Sequence, residues 1–269
     1  MAQEKPDEFS YDTFAEIYDF QRAASGSDID FYVEEATKAK GPVLEIACGT
    51  GRVAIPIARE KIKTFGIDSA SKMLDKAREK LEREPELKKY LTLVHADMRD
   101  FSLDERFALI IIPFRSFLAM LTVEDQKKTL ANIRNHLADD GRFIFNIFNP
   151  DLNLIASQSP SSPRNRMKRT GQFTDQRTGN LVYSWETVNH NAHRQIINVL
   201  NTYEEVDKEG VVVRRYHKQI KLRWIYRYEM QHLLELSGFK IEALMGWFDR
   251  REFDKDSREM VWVAREANP

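Results

Sequence analysis

Val43 to Ala54 reads VLEIACGTGRVA, an apolar run that breaks into a glycine-rich turn and then into helix-forming sequence. This is the grammar of a buried strand, a ligand-sized loop and a helix start. Gly49 and Gly51 supply the two properties such a loop needs, positive backbone φ and no Cβ where a ligand lies against the main chain. The helix that follows aims its unpaired N–H groups and its positive dipole end at the same place. A cofactor is therefore expected above this turn.

Gly49-Thr50-Gly51-Arg52-Val53-Ala54 also satisfies the loose dinucleotide pattern G-x-G-x-x-(G/A), which alone is weak. Three acids sharpen it. Glu45 stands inside the strand, four residues before the first glycine, where a carboxylate needs a polar partner. Asp68 ends the next predicted strand, Ile62 to Ile67, 17 residues after Gly51. Asp97 follows a third strand, Leu91 to His95, in the run His95-Ala96-Asp97-Met98.

At these residues the chain resembles the class I S-adenosylmethionine-dependent methyltransferases. The resemblance rests on E-x-x-C-G-T-G at Glu45 to Gly51, the acid of GIDSASKML at Asp68, the HADM run, and LIIIPFRSF from Leu109 to Phe117. It implies an α/β fold: a Rossmann-like, doubly wound, mostly parallel seven-stranded sheet, with an antiparallel β-sheet inserted after strand five. The cofactor would be S-adenosyl-L-methionine, leaving as S-adenosyl-L-homocysteine. By the same resemblance Glu45, Ala47, Gly49, Gly51, Arg52, Asp68, Ser69, Met73, Ala96, Asp97, Met98 and Pro113 are the cofactor-binding positions. Asp68 would take the ribose hydroxyls, although Ser69 and Ser71 also suit it to cap the helix running to Arg83. Asp97 would accept from the adenine amino group, with the Met98 N–H on a ring nitrogen.

The 269 residues, 42% hydrophobic, suffice for one doubly wound core and a sizeable insertion. The net charge of −1 gives no overall pull toward nucleic acid or membrane. The N-terminus MAQEKPDEF carries no apolar signal core, and no apolar run is long enough to span a bilayer, so a cytoplasmic protein is expected. The single cysteine, Cys48, reads as a small residue packed at the strand end rather than a nucleophile. The six histidines show no metal-ligand spacing, and no metal is expected.

Four regions follow. Residues 1–40 read as a helical lid: Phe9 to Phe20 shows helical spacing, and a second helix runs from about Asp28 to Lys38. In the family a lid tyrosine closes over the cofactor; Tyr18 is the candidate, Tyr11 the second, and family analogy alone chooses between them. Residues 41–150 form the cofactor-binding core. Its fourth strand, Phe107 to Ile112, is apolar throughout, as a parallel strand buried on both faces must be. A helix from Leu121 to Leu137 with Thr122 as N-cap leads to strand five, Arg142 to Phe148. Residues 151–225 form the insertion, and 226–269 a closing helix and β-hairpin.

The insertion opens with a Ser/Pro-rich linker and continues as strands Lys168 to Thr174, Leu181 to Asn189, Arg194 to Val206 and Val211 to Arg223. Tyr183, Trp185, Tyr203, Tyr216 and Trp224 alternate with polar residues, which predicts one aromatic face. From Pro163 to Arg227 there are 13 Lys/Arg against 6 Asp/Glu, a net of +7 that leaves −8 for the rest. That charge reads as a solvated face, as a cover for a carboxylate- or phosphate-bearing substrate, or as an RNA surface, the last disfavoured by the lack of an aromatic RNA-binding motif.

The exit of strand four faces cofactor and substrate alike. Relatives often read N-S-F-L-H there, whereas this chain has Arg115-Ser116-Phe117-Leu118-Ala119. The family's histidine base is thus absent, and a cation stands where substrate enters. Arg115 and Ser116 are the candidates for orienting and catalytic contact with the acceptor. The partner implied is a small-molecule methyl acceptor, anionic if Arg115 meets it, with nucleic acid and membrane disfavoured and a homodimer left open. Two rival readings stand beside it: an RNA methyltransferase using the basic insertion, and a nicotinamide oxidoreductase using the same glycines.

Overall fold

Strand four and the apolar half of strand one have no polar residue to give to solvent, apart from Glu45, so both must lie inside a covered sheet. In the computed structural model, which describes Ala15, Tyr18 and residues 27–157 and 167–267, they do. In chain order the elements are α1 (Ser27–Ala39), β1 (Val43–Ile46), α2 (Ala54–Arg59), β2 (Thr64–Asp68), α3 (Ser71–Arg83), β3 (Leu91–His95), β4 (Phe107–Ile112), α4 (Val123–His136), β5 (Leu137–Phe148), α5 (Leu152–Ser157), β6 (Lys168–Thr174), β7 (Leu181–Asn191), β8 (Ile196–Val206), β9 (Val212–Arg223), α6 (Arg227–Leu236), β10 (Phe239–Met245) and β11 (Glu259–Glu266). They fall into two compact units, Gly26–Pro150 with Trp224–Pro269, and Met1–Ser25 with Asp151–Arg223.

The larger unit holds a seven-stranded sheet in the order β10-β11-β5-β4-β1-β2-β3. Pairing is parallel from β5 to β3, while β11 runs antiparallel to both β5 and β10. The strand order reverses between β1 and β4, and ligands of open α/β sheets bind at such a point, beyond the carboxyl ends. The Rossmann-like, mostly parallel sheet with a separate antiparallel insertion after β5 is therefore the fold.

Leu109, Ile110, Ile111 and Ile112 of β4 are fully buried, each worth about 1.5–3 kcal/mol over exposure. Phe31, Tyr32 and Ala36 of α1 pack with Val43, Ile57, Leu109, Ile111, Ile144 and Val261, so α1 covers one face at the sheet's centre. Among the described residues no helix is long and apolar enough to cross a membrane.

The structure adjusts several boundaries. The second strand runs Thr64–Asp68, starting two residues later than expected and ending at Asp68 as read. The helix expected from Leu121 to Leu137 is α4, capped by Thr122, whose Oγ1 accepts from the Asp125 N–H at 3.0 Å. Strand five begins at Leu137, not Arg142. Leu137 pairs with Phe107, then the register shifts before Arg142 meets Leu109.

The smaller unit is a four-stranded antiparallel sheet, β6-β7-β8-β9. Its aromatics do not share one face, contrary to expectation. Tyr203 lies opposite Ser184 and Tyr216, whereas Tyr183 lies opposite Glu204 and Trp185 opposite Thr202. Side chains alternate along a strand, so this register puts Tyr203 and Tyr216 on one face and Tyr183 and Trp185 on the other. Trp224 belongs to the larger unit, where it is buried. Tyr18 belongs to the smaller unit, packed beside Val182 and Tyr203, with Lys218 Nζ 5.6 Å from its ring centre. Tyr11, Phe9, Phe14, Ile17, Phe20 and most of the Ser/Pro linker lie outside the described residues.

Candidate active site

The turn after β1 winds through three left-handed residues, Ala47 (φ 58°), Gly49 (φ 55°) and Gly51 (φ 78°). Gly51 is required twice over: by its φ, and because a Cβ there would sit 2.9 Å from Ile55 Cδ1. At Gly49 the φ and the methyl of Met73, which would lie 3.2 Å from a Cβ, stand against a side chain. The turn closes with Gly51 N donating to Cys48 O at 2.9 Å, and Ile55 N donating to Gly51 O at 3.0 Å starts α2. Lys80 of α3 reaches beneath it, donating to Thr50 O at 2.9 Å and to Thr50 Oγ1 at 3.0 Å.

Asp68 ties this turn to the next strand tip. Its Oδ2 accepts from Gly49 N at 2.7 Å and its Oδ1 from Ala70 N at 2.8 Å. Ala70, not Asp68, is the N-cap residue of α3. Both Asp68 oxygens are thus engaged at the carboxyl ends of the strands, beside the glycine turn. The third tip joins the second through Ala96 N, which donates to Asp68 O at 3.1 Å, and through His95 Nε2, 2.9 Å from Ser69 O. His95 therefore serves the strand ends. Asp97, two residues on, is held by Arg99: the Arg99 backbone N and Nε donate to Oδ1 at 2.9 Å, and Nη2 to Oδ2 at 2.7 Å. That guanidinium keeps the Asp97 carboxyl below its ordinary range. Met98 follows in the same turn, half-buried.

Glu45 is 3% exposed in β1. Burial first, then the nearby Asp68 and Asp28, push its carboxyl up to about 8 against the opposing pull of Arg52 and a hydrogen bond from the Ala54 backbone. Its Oε2 is buried with no hydrogen-bond partner among the described residues. A buried acceptor lacking a donor, set beside a glycine turn, fits a ligand that brings a donor or a positive charge. Arg52 makes a two-pronged ion pair with Asp28 of α1, Nη1 to Oδ1 at 3.0 Å, and lies 5.2 Å from the centre of the Phe114 ring.

The β4 exit is bent by two consecutive left-handed residues, Phe114 (φ 59°) and Arg115 (φ 64°). Buried Pro113 precedes them, and Ser116 Oγ donates back to Pro113 O at 3.0 Å. Arg115 Nε donates to Glu259 Oε1 at 2.8 Å, and Nη2 meets the same oxygen. Glu259 Oε2 accepts from Asn146 Nδ2 at 2.9 Å, and Asn146 Oδ1 from the Tyr32 hydroxyl at 3.2 Å. Burial raises the Tyr32 hydroxyl well above its ordinary value, reinforced by Asp28, Glu45 and Glu259. The same carboxylates that surround the turn thus also reach this chain of partners.

Sequence reasoning missed Asp28, Lys80, Arg99, Asn146 and Glu259. Asn146 carried the same signal as Glu45, a polar residue within an apolar strand, and was legible in FIFNIF. Lys80 and Arg99 look like ordinary surface cations and carried none.

Residues 43–141 match the family described as a methyltransferase domain. A putative methyltransferase of Bacillus subtilis strain 168 is 23% identical over 96% of this chain and 97% of its own length. A dTDP-3-amino-3,4,6-trideoxy-alpha-D-glucopyranose N,N-dimethyltransferase of Streptomyces venezuelae is 31% identical over 47% of this chain and 54% of that protein. A glycine/sarcosine N-methyltransferase of Aphanothece halophytica is 33% identical over 49% and 50%. The chain thus spans about half the length of these two N-methyltransferases. In fold it is similar to an S-adenosylmethionine-dependent methyltransferase from Clostridium acetobutylicum ATCC 824, with 20% identity, a TM-score of 0.75, and coverage of 96% of this chain and 99% of that one. Three tied strand tips, a glycine turn beside an unpartnered carboxylate and these likenesses converge on one region: residues 43–141 match a methyltransferase domain, and the chain has the fold of an S-adenosylmethionine-dependent methyltransferase.

Proposed function

We propose that the enzyme methylates a nitrogen or oxygen of a small molecule. The observation that carries this reading is the buried, unpartnered Glu45 Oε2 in the strand that leads into the glycine turn, with Asp68 tied to that turn through Gly49 N; together they support a site for a cationic, hydroxyl-bearing cofactor. When bound, S-adenosylmethionine supplies a methyl group on a positively charged sulfur that leaves as a neutral thioether. Gly49 and Gly51 would hold the cofactor's amino-acid end against the main chain, with Glu45 facing its ammonium and Arg52 nearby. Asp68 would accept from the ribose hydroxyls, with Ser69 beside it, and Asp97 and Met98 would flank the adenine. Met73 and Ala96 would pack along that path, and Pro113 would close it near the methyl group. Tyr18 remains a proposed lid contact by family analogy alone.

The part of the surrounding residues would be to align the acceptor's lone pair with that methyl group for an in-line displacement. Alignment and exclusion of water supply most of the acceleration for such a displacement. An acceptor nitrogen must arrive without its proton, and after transfer the product's extra proton leaves to solvent. The amine-directed names of the two partial-length relatives support nitrogen over oxygen. Arg115 and Ser116 are proposed to orient the acceptor.

Calorimetric titration with S-adenosylhomocysteine and, separately, NADH tests the cofactor: binding of the first alone is expected, and binding of NADH alone ends the reading. Labelled methyl groups should then enter a fractionated metabolite pool rather than total RNA.

A further inference from the structure

The Arg115–Glu259 pair offers the two sides of an ion pair very unequally. Glu259 is 2% exposed, and its oxygens are already taken, Oε1 by Nε and Nη2 of Arg115 and Oε2 by Asn146. The Arg115 side chain is 47% exposed. Of its five N–H groups two are used on Glu259, which leaves three without a partner among the described residues. An incoming molecule that reaches this ion pair therefore meets the guanidinium donors rather than the buried Glu259 carboxylate.

The arrangement is held from within. Tyr32, fully buried in α1, donates to Asn146 of β5, which donates to Glu259 at the start of β11, which fixes the guanidinium. From the other side the Phe148 ring lies 5.6 Å from the guanidinium carbon. The backbone adds its own constraint, since two successive side-chain-bearing residues, Phe114 and Arg115, occupy left-handed φ that glycine would adopt more easily.

We infer that Arg115, positioned by Glu259 through Asn146 and Tyr32, forms an oxyanion subsite at the β4 exit, so that the methyl acceptor carries a carboxylate or phosphate group besides the atom methylated. This rests on the methyl-transfer reading for the word acceptor, but not for the subsite. Planar, partly fixed guanidinium donors suit carboxylate and phosphate oxygens in particular. Glu259 and Asn146 are positioning residues here, since neither is accessible to the acceptor.

The test is side-chain and amide NMR of the full chain, with and without saturating S-adenosylhomocysteine, titrated in turn with acetate, methyl phosphate and methylammonium. Acetate or methyl phosphate should shift the Arg115 Nε–H and Ser116 amide resonances saturably, and whichever saturates at lower concentration names the class. Methylammonium should leave both unmoved. In Arg115→Gln the Ser116 response should vanish, and in Glu259→Gln exchange of the Arg115 Nε–H with water should quicken at least fivefold. No saturable response to either anion overturns the subsite, as does a methylammonium titration that frees the Arg115 Nε–H, which would make Glu259 the recognising group. Unchanged exchange in Glu259→Gln overturns the positioning role. Anion binding without S-adenosylhomocysteine binding would keep the subsite and remove the methyltransfer reading, while the converse result would do the opposite.

Discussion

The backbone N–H of Gly49 donates to Asp68 Oδ2 at 2.7 Å, so the tips of β1 and β2 are one hydrogen-bonded unit before any ligand arrives. Asp68 acts twice in consequence, as a brace for the glycine turn and as a proposed acceptor for ribose. Asp68→Ala should weaken S-adenosylhomocysteine binding by about 1–3 kcal/mol, the cost of leaving buried donors without their acceptor. Calorimetry measures it, and an unchanged dissociation constant would take Asp68 out of the site.

Glu45 gives the fold a pH dependence whose sign is fixed. Its carboxyl titrates at about 8 in the folded chain against 4.5 in its ordinary state, chiefly because burial penalises the charge. Between those values the folded chain holds a proton that the unfolded chain has lost, so the contribution of this group is complete below 4.5 and declines as pH rises toward 8. Glu45→Gln, which is neutral throughout, should flatten that slope in urea unfolding of the ligand-free protein and exceed the parent in stability above pH 8. A Glu45→Gln slope equal to the parent's over this window would contradict the assignment.

The glycine turn, the acids at 68 and 97 and the apolar run at 107–112 were legible because each is a local pattern with a local cause. The partners of those acids were not. Asp97 is met by Arg99, two residues away, and nothing in D-x-R distinguishes that pair from two solvated charges. Glu259 meets Arg115 across 144 residues because β11 inserts beside β5, a pairing that only the assembled sheet determines. The aromatic faces of the smaller sheet failed for a related reason. Alternation assigns sides within one strand, but the side shared between strands depends on register, which the four-residue turn Asp207–Gly210 and its neighbours set.

Asp28 and Arg52 join α1 to the cofactor turn with little solvent to screen them, their side chains 10% and 14% exposed. Removing one partner strands the other's charge. Arg52→Met should cost about 3 kcal/mol in denaturant unfolding, the low edge of the range for broken buried pairs. The double change Arg52→Met with Asp28→Leu should recover more than half of that loss, because it leaves no charge behind. A double variant as unstable as the single one would mean that the pair contributes through packing against Phe114 instead.

Lys80 is the least conspicuous residue with a role in the turn. Its ammonium donates to both the carbonyl and the hydroxyl of Thr50, which is fully buried between the two positive-φ glycines. Holding that peptide should fix the direction of the neighbouring N–H groups proposed to meet the cofactor, so the loss should appear in binding more than in folding. Lys80→Met is expected to raise the S-adenosylhomocysteine dissociation constant about three- to tenfold, consistent with roughly one lost hydrogen bond of net value about 0.5–1.5 kcal/mol. Lys80→Arg, which keeps a charged donor, should restore part of it. Equal affinity in the methionine variant would show that the turn, braced by Asp68 from above, holds its shape without help from α3.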